Sequence, residues 1–116
     1  MTLAEFYNTI GESYGPVLSR LTKEDRISKY LLLFLQDPSF GELQKAFDDK
    51  NIQNAFRAAH TLKGIAANLG FNKLSKSSSD LTEDLRPLAF TDKSETLLEQ
   101  VKIDYDLVVS NIQKMQ

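Results

Sequence analysis

The sequence predicts an all-α protein, an up-and-down antiparallel four-helix bundle with a short N-terminal helical extension. Apolar residues recur at the helical period along most of the chain, and no segment shows the alternation of a half-buried strand. Only five glycines and three prolines occur among 116 residues, too few for the many turns of an all-β fold. The connections are short, so successive helices should lie antiparallel. We predict one domain, with residues 1–21 as the extension and 22–116 as the bundle.

The N-terminal part of the chain contains three predicted helices. The first covers residues 3–12 and is broken at Gly15-Pro16, after which a further turn or two within 17–21 stays open. Thr22 is predicted to cap the next helix. Asp37-Pro38 then indicates an N-cap followed by proline at the first helical position, where its missing N–H costs nothing.

Three further helices are predicted after residue 50. Asn51 caps a long helix that ends just before Gly70, and this glycine occupies the C′ position that favours left-handed φ. A seven-residue apolar repeat over 71–85 predicts the next helix. Asp92 with Glu95 resembles a capping box that opens the last helix. The last helix carries the cleanest heptad: Leu98, Val101, Tyr105, Val108, Ile112 and Met115.

Composition excludes several classes of function. With 41% hydrophobic and 26% charged residues, the chain has the composition of a folded globular protein. Its net charge of −2 argues against nucleic acid or an anionic membrane surface as the main partner. The absence of cysteine excludes disulfides, thiolate metal sites and cysteine nucleophiles. No signal peptide is evident and the longest apolar run, residues 30–35, is too short to cross a bilayer, so we expect a cytoplasmic protein.

His60 is the only histidine, and it lies near the middle of one long predicted helix. The apolar residues of this helix fall on one arc, which should face the core: Ile52, Ala55, Phe56, Ala59, Leu62, Ala66 and Leu69. His60 lies about 130° from the centre of that arc. Arg57, Gly64 and Ala67 share its side, and Lys63 is about 60° away, within reach of a long side chain. We therefore predict that His60 is at least partly exposed.

An exposed imidazole flanked by cations suits phosphoryl transfer. A free imidazole titrates at about pH 6.5, so a neutral, nucleophilic ring nitrogen is available at pH 7 without a dedicated base. The transferred group would be stabilised mainly by electrostatics, from Lys63 and from Arg57 one turn earlier. Gly64 costs its helix about 1 kcal/mol relative to alanine. Close approach of another protein, or of a neighbouring helix, would explain that cost.

The histidine segment resembles the signature of histidine-containing phosphotransfer (HPt) domains. The matching residues are Ala58-Ala59-His60-Thr61-Leu62-Lys63-Gly64-Ile65-Ala66-Ala67-Asn68-Leu69-Gly70, followed by Leu74 and Leu81. The resemblance covers residues 27–86, and the two ends match only in helical character. It implies a four-helix bundle with an exposed histidine midway along one helix.

The resemblance also implies roles for single residues. His60 would accept a phosphoryl group from the aspartate of a receiver domain and pass it to a second aspartate. Lys63 would stabilise the phosphoryl group, and Gly64 would leave space for the receiver. Many members have glutamine or glutamate near the ring on the next helix, where this chain has the shorter Thr82. Arg86, one turn later, matches a position that is basic in some members.

The predicted function is that of a phosphocarrier in a multistep two-component phosphorelay, not that of an enzyme. The glycines form no Walker-type phosphate loop, and a lone histidine without cysteine cannot close a metal site, so we expect no cofactor and no metal. The predicted partners are receiver domains of response regulators or hybrid histidine kinases, and we expect a monomer that binds neither nucleic acid nor membrane. The predicted docking surface centres on His60 and includes Arg57, Lys63, Gly64, Ala67, Thr82 and Arg86.

Two alternatives stay open. One is a helical interaction module that docks receiver domains without phosphotransfer, and the other is a degenerate HPt fold that has lost turnover. The acidic residues Asp80, Glu83 and Asp84 are interpreted as a solvated face, and serines 77–79 as surface. The opening methionine favours a short stand-alone protein over a fragment of a larger kinase.

Overall fold

The computed structural model describes residues 1–116 and contains seven helices and no strand. The helices are α1 (Leu3–Thr9), α2 (Tyr14–Leu21), α3 (Glu24–Gln36), α4 (Ser39–Asp48), α5 (Ile52–Asn68), α6 (Asn72–Leu85) and α7 (Ser94–Lys114). The all-α prediction is therefore confirmed. The predicted break at Gly15-Pro16 is wrong, because α1 already ends at Thr9 and these two residues lie in the first turn of α2. The predicted separation of two helices at Asp37-Pro38 is confirmed. Residues 1–21 thus contain two helices and residues 22–116 contain five, so the count of four helices is not confirmed. None of the helices combines the length and the apolar composition needed to span a membrane.

The helix that carries His60, α5, packs against both α4 and α6, and α6 packs in turn against α7. Two contacts show that α5 and α6 run antiparallel. The Ser75 hydroxyl, near the start of α6, donates to the carbonyl oxygen of Lys63 at 3.2 Å. Arg86, just after α6, lies over the ring of Phe56 in the first half of α5, 5.4 Å from its centroid. This pairing brings the C-terminal end of α6 close to the histidine.

Helices α3 and α4 both contact Tyr105 of α7. The ring centroids of Phe34 in α3 and Phe40 in α4 lie 5.7 and 4.2 Å from the ring centroid of Tyr105 in α7. The break between α3 and α4 follows from Pro38, which has no N–H to donate and disfavours helical geometry at the preceding residue. Asp37 accordingly has extended backbone, and its carboxylate accepts the Ser39 N–H at 2.9 Å. Helix α4 begins at Ser39, one residue later than the predicted start at Pro38.

The N-terminal extension belongs to the core of the molecule. Phe6 and Tyr7 of α1 are completely buried, and their ring centroids lie 6.2 and 6.1 Å from that of Phe71. The buried Tyr7 hydroxyl donates to the carbonyl oxygen of Leu69 at 2.6 Å. In α2, Arg20 donates to the carbonyl oxygen of Asn68 at 2.9 Å. The extension therefore holds the C-terminal end of α5, the helix that carries the histidine.

The predicted caps of α5 are confirmed. The Asn51 side chain accepts the N–H of Asn54 at 3.1 Å, and Gly70 has a φ of +77°. A Cβ at Gly70 would also collide with the side chain of Val17, so both space and conformation require glycine here. Both ends of α5 are thus defined by local sequence.

Two other predicted caps are wrong. Thr22 ends α2 instead of opening α3: its φ is +69° and its N–H donates to the carbonyl oxygen of Leu18 at 2.7 Å. Helix α7 begins at Ser94, and the predicted Asp92–Glu95 capping box does not form. Instead, the Thr91 hydroxyl accepts the Lys93 N–H at 3.1 Å, and the Asp84 carboxylate of α6 accepts the Ser94 hydroxyl at 2.6 Å.

The prediction that serines 77–79 of α6 are surface residues is wrong for two of them. Ser77 and Ser78 are buried, and the Ser78 hydroxyl has no hydrogen-bond partner. This helix packs against α5 and α7 at once, so residues of low hydrophobicity become enclosed on its inner faces. Small side chains allow that close approach, which compensates for their low helix propensity.

Candidate functional site

The orientation of α5 is set by its small and apolar inner face. Ala55, Ala59, Leu62 and Ala66 are completely buried, and their spacing places them on one side of the helix. His60 is on the opposite side and is exposed, as predicted. Burial of the inner face therefore holds the histidine outward, on a helix that is capped at both ends.

The imidazole of His60 lies beside the ring of Phe56, one turn earlier. The two rings are nearly parallel, with centroids 6.3 Å apart and an interplanar angle of 13°. Phe56 was assigned to the core, but it lies at the edge of the buried face and is only half-buried. Together with Gln53, Arg57 and Leu88, these two residues line an open hollow of about 500 Å³. The histidine thus has an aromatic neighbour on one side and solvent on the other.

Gly64 and Ala67 continue the exposed face of α5 after His60. A Cβ added at Gly64 would meet no atom within 4 Å. A neighbouring helix therefore does not explain this glycine, and one of the two explanations offered by the sequence is removed. The space above Gly64 is open to a molecule that approaches from outside.

Two cations of the predicted site lie on α5. Arg57 is exposed one turn before His60, and Lys63 is half-buried three residues after it. Both therefore place positive charge on the same helix as the imidazole, within one turn of it.

Arg86 is held by Glu83 in a two-point ion pair at the end of α6. The guanidinium donates through Nε to one carboxylate oxygen at 2.8 Å and through Nη2 to the other at 2.9 Å. This hydrogen bonding lowers the pKa of Glu83, and the charges of Arg86, Lys63 and His60 act in the same direction. The same Arg86 lies over Phe56, so the ion pair adjoins the hollow beside the histidine.

Thr82 does not contribute to the surface, contrary to the prediction. It is completely buried, and its hydroxyl donates to the carbonyl oxygen of Ser78 at 2.7 Å. The rotation of α6 against α5 and α7 turns position 82 inward and leaves position 83 exposed. The acidic side chain exposed at this end of α6 is therefore Glu83, on a face that was interpreted as merely solvated, and it is connected to the histidine surface through Arg86, which lies over Phe56.

Sequence reasoning missed Phe56, Glu83 and Leu88 as members of the site. The spacing of four residues between Phe56 and His60 was a readable signal, since such pairs are neighbours on a helix. The spacing of Glu83 and Arg86 indicated an ion pair but not its position next to α5. Nothing in the sequence placed Leu88, which follows α6 in a loop, beside the histidine.

No group of three or more His, Cys, Asp or Glu side chains is clustered so that it could hold a metal ion. The histidine surface presents one imidazole, the cations of α5 and an apolar border. A nucleophilic ring nitrogen with positive charges close by is suited to a group that carries negative charge.

The family model described as the Hpt domain matches residues 33–110, more than half of the chain. The chain belongs to the Hpt domain family. The match includes α4, α5, α6 and most of α7, and so extends beyond residue 86, where the resemblance seen in the sequence ended. No curated protein and no solved structure matches the chain. As an Hpt domain, it has a role related to phosphotransfer in two-component signalling, where such domains act with receiver domains as phosphocarriers.

Proposed function

We propose that this Hpt domain is the histidine phosphocarrier of a multistep phosphorelay. His60 accepts a phosphoryl group from the aspartate of one receiver domain and passes it to the aspartate of another. The observation that carries the proposal is the exposure of the single histidine on α5, with open space over Gly64 one turn later. Family membership supports phosphotransfer, and the position of the imidazole supports this residue as the acceptor.

The transfer needs little from this chain beyond a positioned nucleophile and nearby positive charge. An unprotonated ring nitrogen attacks the phosphorus, an N–P bond forms, and the bond from phosphorus to the aspartyl oxygen breaks, so that the receiver regains its carboxylate. Phosphoryl transfer is accelerated mainly by alignment and electrostatic stabilisation. Lys63, Arg57 and Arg86 supply positive charge around His60, and the partner supplies the aspartate and its metal.

The proposal includes a division of the chain. Residues 22–116 form a four-helix bundle in which α3 and α4 together count as one helix interrupted at Asp37-Pro38, and residues 1–21 form the extension. The contact of Phe34 in α3 and Phe40 in α4 with the same residue, Tyr105 of α7, supports this count. The extension supports the site indirectly, because Tyr7 and Arg20 bind the carbonyl groups that end α5.

A direct test uses receiver domains labelled with radioactive acetyl phosphate. We expect label to move from a receiver to this chain and to behave as a phosphoramidate, which is stable in alkali and labile in acid, unlike the acyl phosphate of the donor. A second, unlabelled receiver should then remove the label. Binding of receivers without any transfer of label would support the docking module instead, and would contradict the proposal.

Replacement of Lys63 by alanine should slow the transfer without stopping it. One mobile positive charge near the phosphoryl group is lost, and we expect a rate about tenfold lower. This loss is smaller than the one caused by removing a hydrogen-bond donor from an enclosed active site. Rapid-quench measurement of labelling at saturating receiver reports the rate. Lys102→Ala is a matched control, because Lys102 is exposed on α7 and pairs there with Asp106. Equal rates for the two variants would remove Lys63 from the mechanism.

Replacement of Glu83 by glutamine should favour the phosphorylated form. The variant removes the carboxylate that binds Arg86 and whose negative charge interacts favourably with the charges of Lys63 and His60, while it keeps the shape of the side chain. Because the pair is exposed, we expect a shift of about two- to fivefold in the equilibrium between phosphorylated receiver and phosphorylated Hpt domain. The ratio of label on the two proteins at equilibrium measures it. Asp80→Gln, which affects a pair with Lys76 on α6, is the control, and a shift toward the receiver would contradict this role.

A further inference from the structure

Leu88 is exposed next to His60 although it is a large apolar residue. It follows Pro87 in the loop between α6 and α7, and 48% of it is accessible to solvent. It lines the same hollow as Phe56, Arg57 and His60. A loop residue that is remote in sequence from the histidine therefore forms part of the border around the imidazole.

The backbone of Leu88 has a left-handed conformation, with a φ of +60°. This region is disfavoured for residues with a branched side chain and is normally taken by glycine or asparagine. Such strain persists only where the surrounding structure holds it, and it is found preferentially at functional sites. A turn that needed only the conformation would be satisfied better by glycine, so the leucine side chain requires a reason of its own.

Contacts on both sides of Leu88 hold the loop in place. Its N–H donates to the carbonyl oxygen of Leu85 at 2.9 Å. Further along, the Asp84 carboxylate accepts the Thr91 hydroxyl at 2.7 Å and the Ser94 hydroxyl at 2.6 Å. The loop is thus tied to the end of α6 at two points, and the Leu88 side chain is presented without depending on a partner. Presentation in a fixed geometry lowers the entropy cost of binding.

We propose that Leu88 is an apolar docking residue for the receiver domain, and that its strained turn exists to present the side chain beside His60. The inference rests on the proposed phosphocarrier function. The occupant follows from continuity with the histidine surface. The hollow is lined by the apolar side chains of Phe56 and Leu88 together with Arg57 and His60, and Arg86 lies over the ring of Phe56. A partner with an acidic phosphorylation site bordered by apolar residues is complementary to that combination.

The test compares Leu88→Asn and Leu88→Met with the wild-type protein, using receiver domains phosphorylated with labelled acetyl phosphate. Asparagine tolerates the left-handed turn but removes the apolar contact. The receiver concentration at half-maximal rate should therefore rise about three- to tenfold, the loss expected when the exposed half of a leucine side chain is no longer buried on binding. The rate at saturating receiver should stay unchanged, and the melting temperature should not fall, because asparagine relieves the strain of the left-handed turn. Methionine, which is also apolar, should restore half-saturation to near the wild-type value. Leu107→Asn, which changes an exposed leucine on α7, is the matched control.

The outcomes separate this inference from the function on which it rests. Normal labelling of the wild type with unchanged half-saturation in Leu88→Asn overturns the docking role alone. An equal loss in Leu107→Asn overturns it as well, since the effect would then not be specific to the histidine surface. Absence of label on the wild type with every receiver overturns the proposed function, and the docking role with it. A rise confined to Leu88→Asn and reversed in Leu88→Met supports it.

Discussion

His60→Gln is expected to abolish phosphoryl acceptance and to leave the fold intact. The chain has no second histidine that could replace the lost nucleophile, and glutamine has no ring nitrogen that can attack phosphorus. The side chain is exposed, so the free energy of unfolding should change by no more than about 0.5 kcal/mol. Transfer of label from a phosphorylated receiver and thermal unfolding measure the two effects.

Binding of unphosphorylated receiver provides the control for this variant. It should stay close to wild type, because the rest of the exposed face of α5 is unchanged. Loss of label together with retained binding assigns the chemistry to the imidazole. Alkali-stable label on the variant would mean that another side chain accepts the phosphoryl group, and the assignment of His60 would be wrong.

Gly64→Gln is expected to block docking while it stabilises the helix. Replacement of glycine inside α5 should raise the free energy of unfolding by about 0.5–1 kcal/mol, since nothing in the molecule opposes a side chain there. The same side chain would occupy the space that a receiver needs above the turn after His60. We expect receiver binding to weaken about tenfold or more, measured by calorimetry, and the labelling rate to fall with it.

Gly64→Ala separates the size of the side chain from its effect on the helix. Alanine should stabilise α5 at least as much as glutamine does, yet it adds only one methyl group above the surface. Receiver binding should therefore lie between that of the wild type and that of the glutamine variant. Binding of Gly64→Gln at wild-type strength would show that the partner does not approach this turn.

The exposed face of α5 was predictable because it depends on the periodicity of a single helix. Apolar residues at helical spacing define which side is buried, and the position of His60 relative to them follows from geometry. Asn51 and Gly70 were likewise predictable, because a cap involves residues within a few positions of one another. The break at Asp37-Pro38 belongs to the same class, since it follows from the geometry of proline.

The errors at the site concern residues whose surroundings depend on how separate helices meet. Thr82 and Glu83 are adjacent in sequence, and only the rotation of α6 against its neighbours decides that the first is buried and the second is exposed. The start of α7 also involves a second helix, because Asp84 of α6 accepts the Ser94 hydroxyl. The error at Thr22 is local, since that residue ends α2. Leu88 enters the site through the path of a loop, which no periodic pattern encodes.

By itself, the sequence determined the all-α class, the ends of the histidine helix and the outward position of His60. The tertiary structure alone decided that the aromatic residues of the extension enter the core, that Glu83 and Arg86 stand beside Phe56, and that Leu88 borders the hollow. The physical reason is the range of the interactions. Helix periodicity and capping act within a few residues, whereas the surroundings of the imidazole depend on the packing of side chains that are distant along the chain.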